Sequence, residues 1–524
     1  MNANSFKNHW QQLPESAIRE RQVEQLRHYL RTVVLPFSPH YRKLFRAHGL
    51  TADSFGALDD LNQIPFTTKL DLLNTPECPQ QARNFVITPD QHVLARRPGT
   101  IFRAITRGKN HVKAGFEAEF RPVFMTFTTG RAAEPVPFLY SQHDLANLST
   151  AARRIMEICE ARPDERLLNA FPFAPHLAFW LAHYAGLSFG SLMLSSGGGK
   201  VMGTEGNLRL IRKFKPNVFI GVPTFLYHLM HQAVEEGLRC ENLRCLVLGG
   251  EKVTDGLRVK LRELAADLGS PDVHVLATYG FTEAKMAWTE CLAPHGKPPT
   301  GYHLYPDLGI LEIVDPETNR SVPPGEPGEI VFTPLDARGS VVLRYRTGDY
   351  IDGGLTYEPC PHCGRSVPRL MGRISRRSEV REMNLDKLKG TLVDFNELEH
   401  VLDDAPHIGM WQVELRKAHD DPLELDEIIL HVQKADTTEE TQLARDLNSR
   451  FFSQTEIHPN RIEFHTASEM RQLQGVGAVI KEQKIIDHRP PPPDVAAFAT
   501  GGPTTTSQST RLEAVSGRKT VLPK

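Results

Sequence analysis

At 524 residues, 40% hydrophobic and 24% charged, the chain has the composition of a globular protein with more than one core, because a single core rarely outgrows about 250–300 residues. A formal charge of -2 gives no electrostatic case for nucleic acid or a membrane surface, and no apolar run approaches the ~20 residues of a membrane span. Seven cysteines, an odd number, do not suggest a disulfide scaffold, and the polar opening "MNANSFKNHWQQLPESAIRE" lacks the apolar centre of a signal peptide, so the expected location is cytoplasmic.

Residues 16–48 read as helix, with Leu26, Tyr29, Leu30, Val33 and Val34 on one face. From about 120 to 290, short apolar runs ("RLLNAFPF", "PNVFIGVP", "LRCLVLGGE", "DVHVLATYG") alternate with amphipathic stretches ("TEGNLRLIRKF", "VTDGLRVKLRELAADLG"). That alternation implies a mainly parallel sheet flanked by helices. After 300 the strands "LGILEIVDP", "GEIVFTPL" and "SVVLRYRTGDY" are parted by Pro/Gly turns, which implies an antiparallel β subdomain. A third region begins near 373 with helix "DFNELEHVLDD" and strands "MWQVELRKA" and "EIILHVQ". The expected class is therefore α/β, with a large unit over 1–372 (helical entry about 16–75) and a smaller α+β unit over 373–489. The Pro-, Thr- and Gly-rich residues 490–524 read as a disordered tail.

Three polar clusters each follow a strand: Gly249-Gly250-Glu251, Tyr279-Gly280-Phe281-Thr282-Glu283 and Arg346-Thr347-Gly348-Asp349. In an open α/β sheet, ligands gather at the carboxyl ends of strands. Glycine admits a close backbone approach, a hydroxyl meets an anion, and a carboxylate holds a divalent metal or the hydroxyls of a ribose. Each cluster alone is also ordinary turn chemistry; three in order suit a nucleotide with its magnesium. Separately, Cys360-Pro-His-Cys363 is half of a tetrahedral zinc site, with Cys291, His295 and His303 upstream as candidates for the other half. His176 and His183 flank an aromatic helix and read as packing or surface residues. Cys159, Cys240 and Cys245 read as packing residues, and Cys78 has no assignable partner.

Over residues 20–489 the motifs "SPHYRKLF", "GVPTFL", "LGGE", "YGFTE", "LRYRTGD" and "CPHCGRSVPRLMGR" come in an order that resembles the phenylacetate–CoA ligase branch of the acyl-adenylate-forming enzymes. The resemblance implies a large adenylate-forming domain and a smaller, mobile C-terminal lid. It implies that Tyr279 packs near adenine, Thr282 bonds the α-phosphate, Glu283 holds Mg2+, Asp349 takes the ribose hydroxyls and Arg373 sits at the nucleotide edge by the hinge. "KEQKIIDHR" places the adenylation lysine at Lys481, with Lys484 the alternative, and "QGVGAV" as the loop that swings it. Some members of the branch carry a structural zinc, for which the register favours Cys291, His303, Cys360 and Cys363.

The implied reaction has two steps. A carboxylate, aromatic in this branch, attacks ATP to give acyl-AMP and pyrophosphate; a thiol, usually of CoA, then displaces AMP. Two stretches depart from the pattern. In "MTFTTGRAAEPVPF" the phosphate loop keeps Thr128, Thr129 and Gly130, but Phe127 replaces a glycine and Arg131 a lysine. The hinge, "GRISRRSEVREMNLDKLKG", is long and lacks paired aspartates. A carrier-protein acceptor and a degenerate nucleotide-binding module without ligase activity therefore stand as alternatives to a CoA ligase; a homodimer is compatible with each of them.

Overall fold

The apolar runs become strands, but the sheet they build changes direction partway across. The computed structural model describes residues 11–128, 135–376, 380–386, 389–420, 425–434, 439–455, 457–477 and 483–489. A hairpin of β1 (Pro122–Phe127) and β2 (Pro137–Ser141) precedes five parallel strands: β3 (Arg166–Asn169), β4 (Leu192–Ser195), β5 (Val218–Gly221), β6 (Cys245–Leu248) and β7 (His274–Phe281). Every residue of β5 and β6 is buried, because helices cover both faces; such strands read as unbroken apolar runs rather than alternating ones. Ser141 and Thr254 cap two of these helices, Gln142–Ile158 and Asp255–Asp267, through their side-chain oxygens.

Beyond β7 the sheet turns antiparallel. The chain reverses through a tight turn at Thr282–Ala284, with Lys285 in the left-handed region (φ 60°), and returns as β8 (Met286–Thr289). β9 (Tyr302–His303) then continues the same sheet. Strands β10 (Gly309–Val314), β11 (Gly328–Pro334) and β12 (Tyr345–Ile351) form a separate antiparallel sheet. The short strands β13 (Leu355–Thr356) and β14 (Arg369–Leu370) join the nine-stranded one, and β15 (Ile374–Arg376) closes against β12.

The N-terminal stretch is not one helix. It runs as Glu15–Tyr29, a π-turn at Leu30–Val34 and Leu35–Phe37, then breaks at Ser38 (ψ 107°) before Pro39–Ala47. Proline disfavours helical backbone in the residue before it, and Ser38 turns that break into a cap by accepting from the Tyr41 amide.

C-terminal to β15 the long hinge sequence forms a hairpin, β16 (Val380–Asp386) with β17 (Lys389–Asp394). A last sheet follows, of β18 (Ile408–Lys417), β19 (Asp426–Lys434), β20 (Arg461–His465) and β21 (Ile485–Asp487) in the order β20-β19-β18-β21. One face of it packs Trp411, Val413, Leu415, Leu430 and Val432 on helices Phe395–Asp403 and Glu440–Thr455, a core of its own. Among the described residues no helix is long and apolar enough to cross a membrane.

Buried polar contacts join this unit to the rest. His228, on helix Pro223–Glu235, shares a 2.7 Å hydrogen bond with Gln474 Oε1, and Lys252 pairs with Glu399 at 3.2 Å. Burial lowers the His228 pKa from 6.5 to about 4, so the fold holds its imidazole neutral. A group depressed in this way contributes stability above its unfolded pKa and loses it as pH falls through the folded one. Stability should therefore decline between pH 6.5 and about 4, by on the order of 3 kcal/mol in full. Urea midpoints taken across that range should fall less steeply in His228→Gln than in the unsubstituted chain.

Candidate active site and metal centre

The turn where the sheet reverses gathers the predicted nucleotide residues. Tyr279 stands near the end of β7, its ring stacked on the buried Trp288 of β8 at 6.0 Å. Its hydroxyl donates to Asp349 Oδ2 at 2.9 Å, and burial, then the Asp349 charge, hold the phenol well above its ordinary pKa. Asp349 lies on β12, where its amide donates to Thr347 Oγ1 (3.0 Å) and its carboxylate pairs with Arg376 Nε (3.3 Å). The Asp349–Arg376 pairing follows from the register of β12 with β15.

Thr282 is buried, and its hydroxyl donates to the Phe127 carbonyl at 3.4 Å, which ties the β7 turn to the end of β1. His176 Nδ1 meets the same carbonyl at 3.0 Å. Thr128 bonds Val136 through both its amide and its hydroxyl at 3.0 Å, which closes the neck of the predicted phosphate loop. Phe127 in place of glycine has a local explanation: it is the extended last residue of β1, paired with Pro137. Glu283 Oε1 accepts from Tyr345 at 2.7 Å, and burial raises the carboxyl above its usual range. Thr129, Gly130, Arg131 and Lys481 lie outside the described residues.

The Gly249-Gly250-Glu251 cluster follows β6. A side chain at Gly249 would collide with Thr278 Oγ1, so that glycine serves strand packing, while Gly250 takes a left-handed φ of 86°. Glu251 Oε2 accepts from the Thr224 amide (3.3 Å) and hydroxyl (2.7 Å), a carboxylate at the N-terminus of helix Pro223–Glu235. At Gly280 a Cβ would press on Ala287 of β8, a close strand approach. Arg373 is half exposed and clamped by Asp352 through its amide (2.6 Å) and Nε (3.2 Å), with Glu397 at 3.7 Å, so it links the large unit to the helix Phe395–Asp403. Lys484, the alternative lysine, is buried between Glu399 (3.1 Å) and Asp403 (3.0 Å) over the Trp411 ring. Burial opposes charge on Glu399, yet Lys484 and Lys252 together bring its carboxyl down to about 2. Lys484 is a structural cation in this arrangement.

Three of the seven cysteines gather around one histidine. Ligand atoms of Cys291, His303, Cys360 and Cys363 lie within 4.8 Å of one another. Cys291 Sγ and Cys360 Sγ are 3.6 Å apart, as are Cys363 Sγ and His303 Nε2. A tetrahedral zinc with Zn–S of about 2.3 Å and Zn–N of about 2.0–2.1 Å spans about 3.8 Å between sulfurs and about 3.6 Å from sulfur to nitrogen. The four therefore fit one zinc ion. The Cys360–Cys363 turn closes through Gly364, whose amide donates to the Cys360 carbonyl (2.9 Å) at φ 72°. His295 lies elsewhere: it is exposed and stacks on His274.

Sequence reasoning missed Tyr345, Trp288 and Arg376. The first sits inside "LRYRTGD", four residues before Asp349, so the strand period offered a signal; Arg376 reaches Asp349 only through strand pairing. The segment 475–477, part of the predicted swinging loop, rests on the first turn of helix Gly198–Phe214, which follows β4, with Gly477 against Gly199.

The family model for AMP-binding enzymes matches residues 75–334. A phenylacetate-coenzyme A ligase of Escherichia coli is 29% identical over 399 residues, covering 74% of this chain and 76% of the relative. That of Thermus thermophilus is 28% identical over 380 residues, covering 71% and 74%. Among solved structures, 2-hydroxyisobutyryl-CoA ligase in its postadenylation state, in complex with an acyl-AMP, aligns with a TM-score of 0.71. That alignment covers 95% of this chain and 94% of the other at 19% identity, a likeness of fold. The family model and these relatives together support an AMP-binding, acyl-adenylate-forming enzyme, and within that class the phenylacetate–CoA ligase-like branch.

The Gly199–Gly477 contact can be tested directly. A Cβ at Gly199 would stand 2.8 Å from both Gly477 Cα and Phe225 Cε2. Gly199→Ala should displace segment 475–477 at a cost of roughly 1–3 kcal/mol, seen as faster hydrogen exchange there with unchanged protection in β5 and β6.

Proposed function

We propose that the chain is an ATP-dependent acid–thiol ligase that activates a carboxylate as its acyl adenylate and passes the acyl group to CoA. One observation carries the reading: the Tyr279–Asp349 pair, Thr282 and Glu283 converge beside the neck of the β1–β2 loop. Residues 1–372 would form the catalytic body and 373–489 the lid. Asp349 would accept from both ribose hydroxyls, and Tyr279, backed by the buried Trp288, would pack against the adenine. Thr282 would turn its hydroxyl from the Phe127 carbonyl to the α-phosphate. Thr129, Gly130 and Arg131 would hold the outer phosphates, the guanidinium in bidentate fashion. Glu283 would hold Mg2+, which supplies charge neutralisation at the phosphates. The raised pKa of its buried carboxyl is the mark of a group that gains from a cation. Lys481 would meet the developing charge at the α-phosphate. An aromatic acid is favoured by the rings of Phe124, Phe173, Phe179 and Trp180, packed edge-on next to β1. Cys291, His303, Cys360 and Cys363 would hold a structural zinc, with no position left open for catalysis.

Pyrophosphate release with ATP, Mg2+ and a panel of aryl and fatty acids, without thiol, tests the first half-reaction. Release should depend on one acid class, and Lys481→Ala should reduce it by about 10²–10³-fold. If no acid elicits release from protein that binds ATP, the ligase reading fails. Asp349→Ala should raise the KM for ATP by roughly tenfold or more, from the loss of charge-assisted bonds to the ribose. The purified chain should retain zinc through dialysis, and Cys360→Ser should lose it together with several degrees of Tm.

A further inference from the structure

The two faces of the C-terminal sheet have opposite chemistry. Trp411, Val413 and Leu415 alternate along β18 with Gln412, Glu414 and Arg416, and only the first set enters the core. The other face carries Glu414, His431, Glu463 and His465 together. Register explains it: β19 pairs with the parallel edge strand β20 so that His431 lies beside Glu463 and Gln433 beside His465.

His431 is 5% exposed. Its Nε2 lies 3.1 Å from Glu414 Oε2, and its Nδ1 lies 3.0 Å from His465 Nε2 and 3.4 Å from Glu463 Oε2. If Nε2–H donates to Glu414, as a carboxylate partner requires, a neutral ring has only a lone pair at Nδ1. That lone pair then faces the Glu463 oxygen, acceptor against acceptor, and a cation between them removes the conflict. Tetrahedral edges on Zn–N and Zn–O bonds of about 2.0–2.2 Å are about 3.3–3.6 Å. The 3.4 Å spacing from His431 Nδ1 to Glu463 matches such an edge, and the 3.0 Å spacing to His465 Nε2 needs only a side-chain shift of about 0.3 Å to open to one. A carboxylate on the far nitrogen of a ligating histidine is the usual orienting arrangement at metal sites.

We infer that this face is a second metal site, in which His431 Nδ1, His465 Nε2 and the Glu463 carboxylate bind a divalent transition ion such as Zn2+. Two imidazoles and a carboxylate suit zinc over magnesium or calcium, and three protein ligands leave a position for water. The ion bridges β19 to the edge strand β20 and so stabilises the lid unit. It also lies beside Gln433, whose Nε2 reaches His231 on helix Pro223–Glu235 at 3.3 Å, so the clamp adjoins the contact with the large unit. The four-residue cysteine centre is separate in sequence and in donor chemistry.

Cobalt distinguishes the two. The full chain, dialysed against a weak chelator so that thiolate-bound metal is kept, is titrated with Co2+. The expected result is one additional equivalent with weak d–d absorption and no thiolate charge-transfer band, accompanied by a rise in Tm. His465→Ala should abolish that equivalent, and Glu463→Gln should weaken it at least tenfold. Should His465→Ala fail to fold, Glu463→Gln, at a side chain 40% exposed, carries the comparison. The inference is overturned if the variants bind Co2+ as the unsubstituted chain does, or if all bound Co2+ shows thiolate charge transfer.

Discussion

The site depends on the reversal of the sheet after β7. A parallel strand ends where a loop and a helix usually begin, but here Thr282–Lys285 returns the chain at once as β8. The turn fixes Thr282 and Glu283 at the carboxyl end of the parallel sheet and places Trp288 under Tyr279. It also begins the antiparallel extension that carries Cys291 and His303. One local event thus positions both the candidate nucleotide residues and the start of the cysteine–histidine cluster. Lys285 at positive φ, with its ammonium 3.2 Å from the buried Asp144 carboxylate, holds the reversal in place.

Charge burial does the corresponding work between the two units. Lys252 and Lys484 share Glu399, and Lys484 also takes Asp403, so the charges that leave water there are paired. Such pairs favour one geometry strongly over others, since a displaced partner leaves a buried charge alone. They give the C-terminal unit a defined arrangement against the rest of the chain, with Gly477 against Gly199 as a contact made of backbone alone.

Much of this was legible in the sequence, for identifiable reasons. Strands buried on both faces advertise themselves as apolar runs, and β5 to β7 were read correctly. The Cys-x2-Cys turn marked half of a tetrahedral set, but spacing left both His295 and His303 open for the remainder, and only the family register favoured His303. The N-terminal region misled because its apolar face continues past Ser38, while the backbone there obeys Pro39. Lys484 also looked like a candidate in "KEQKIIDHR", and no local feature of that stretch discloses two carboxylates arriving from helix Phe395–Asp403.

The sequence by itself determined the strands, the order of the motifs, the family resemblance they carry and the residue types able to hold phosphate, ribose or zinc. These depend on short-range patterns, which a linear chain displays. Only the tertiary structure decided that Arg376 and Tyr279 share Asp349, that His303 rather than His295 joins the cysteines, and that His431 meets Glu463 and His465. Those partners lie 12 to 70 residues apart in the chain, and strand pairing and the packing of the sheets, rather than proximity in sequence, bring their atoms within reach.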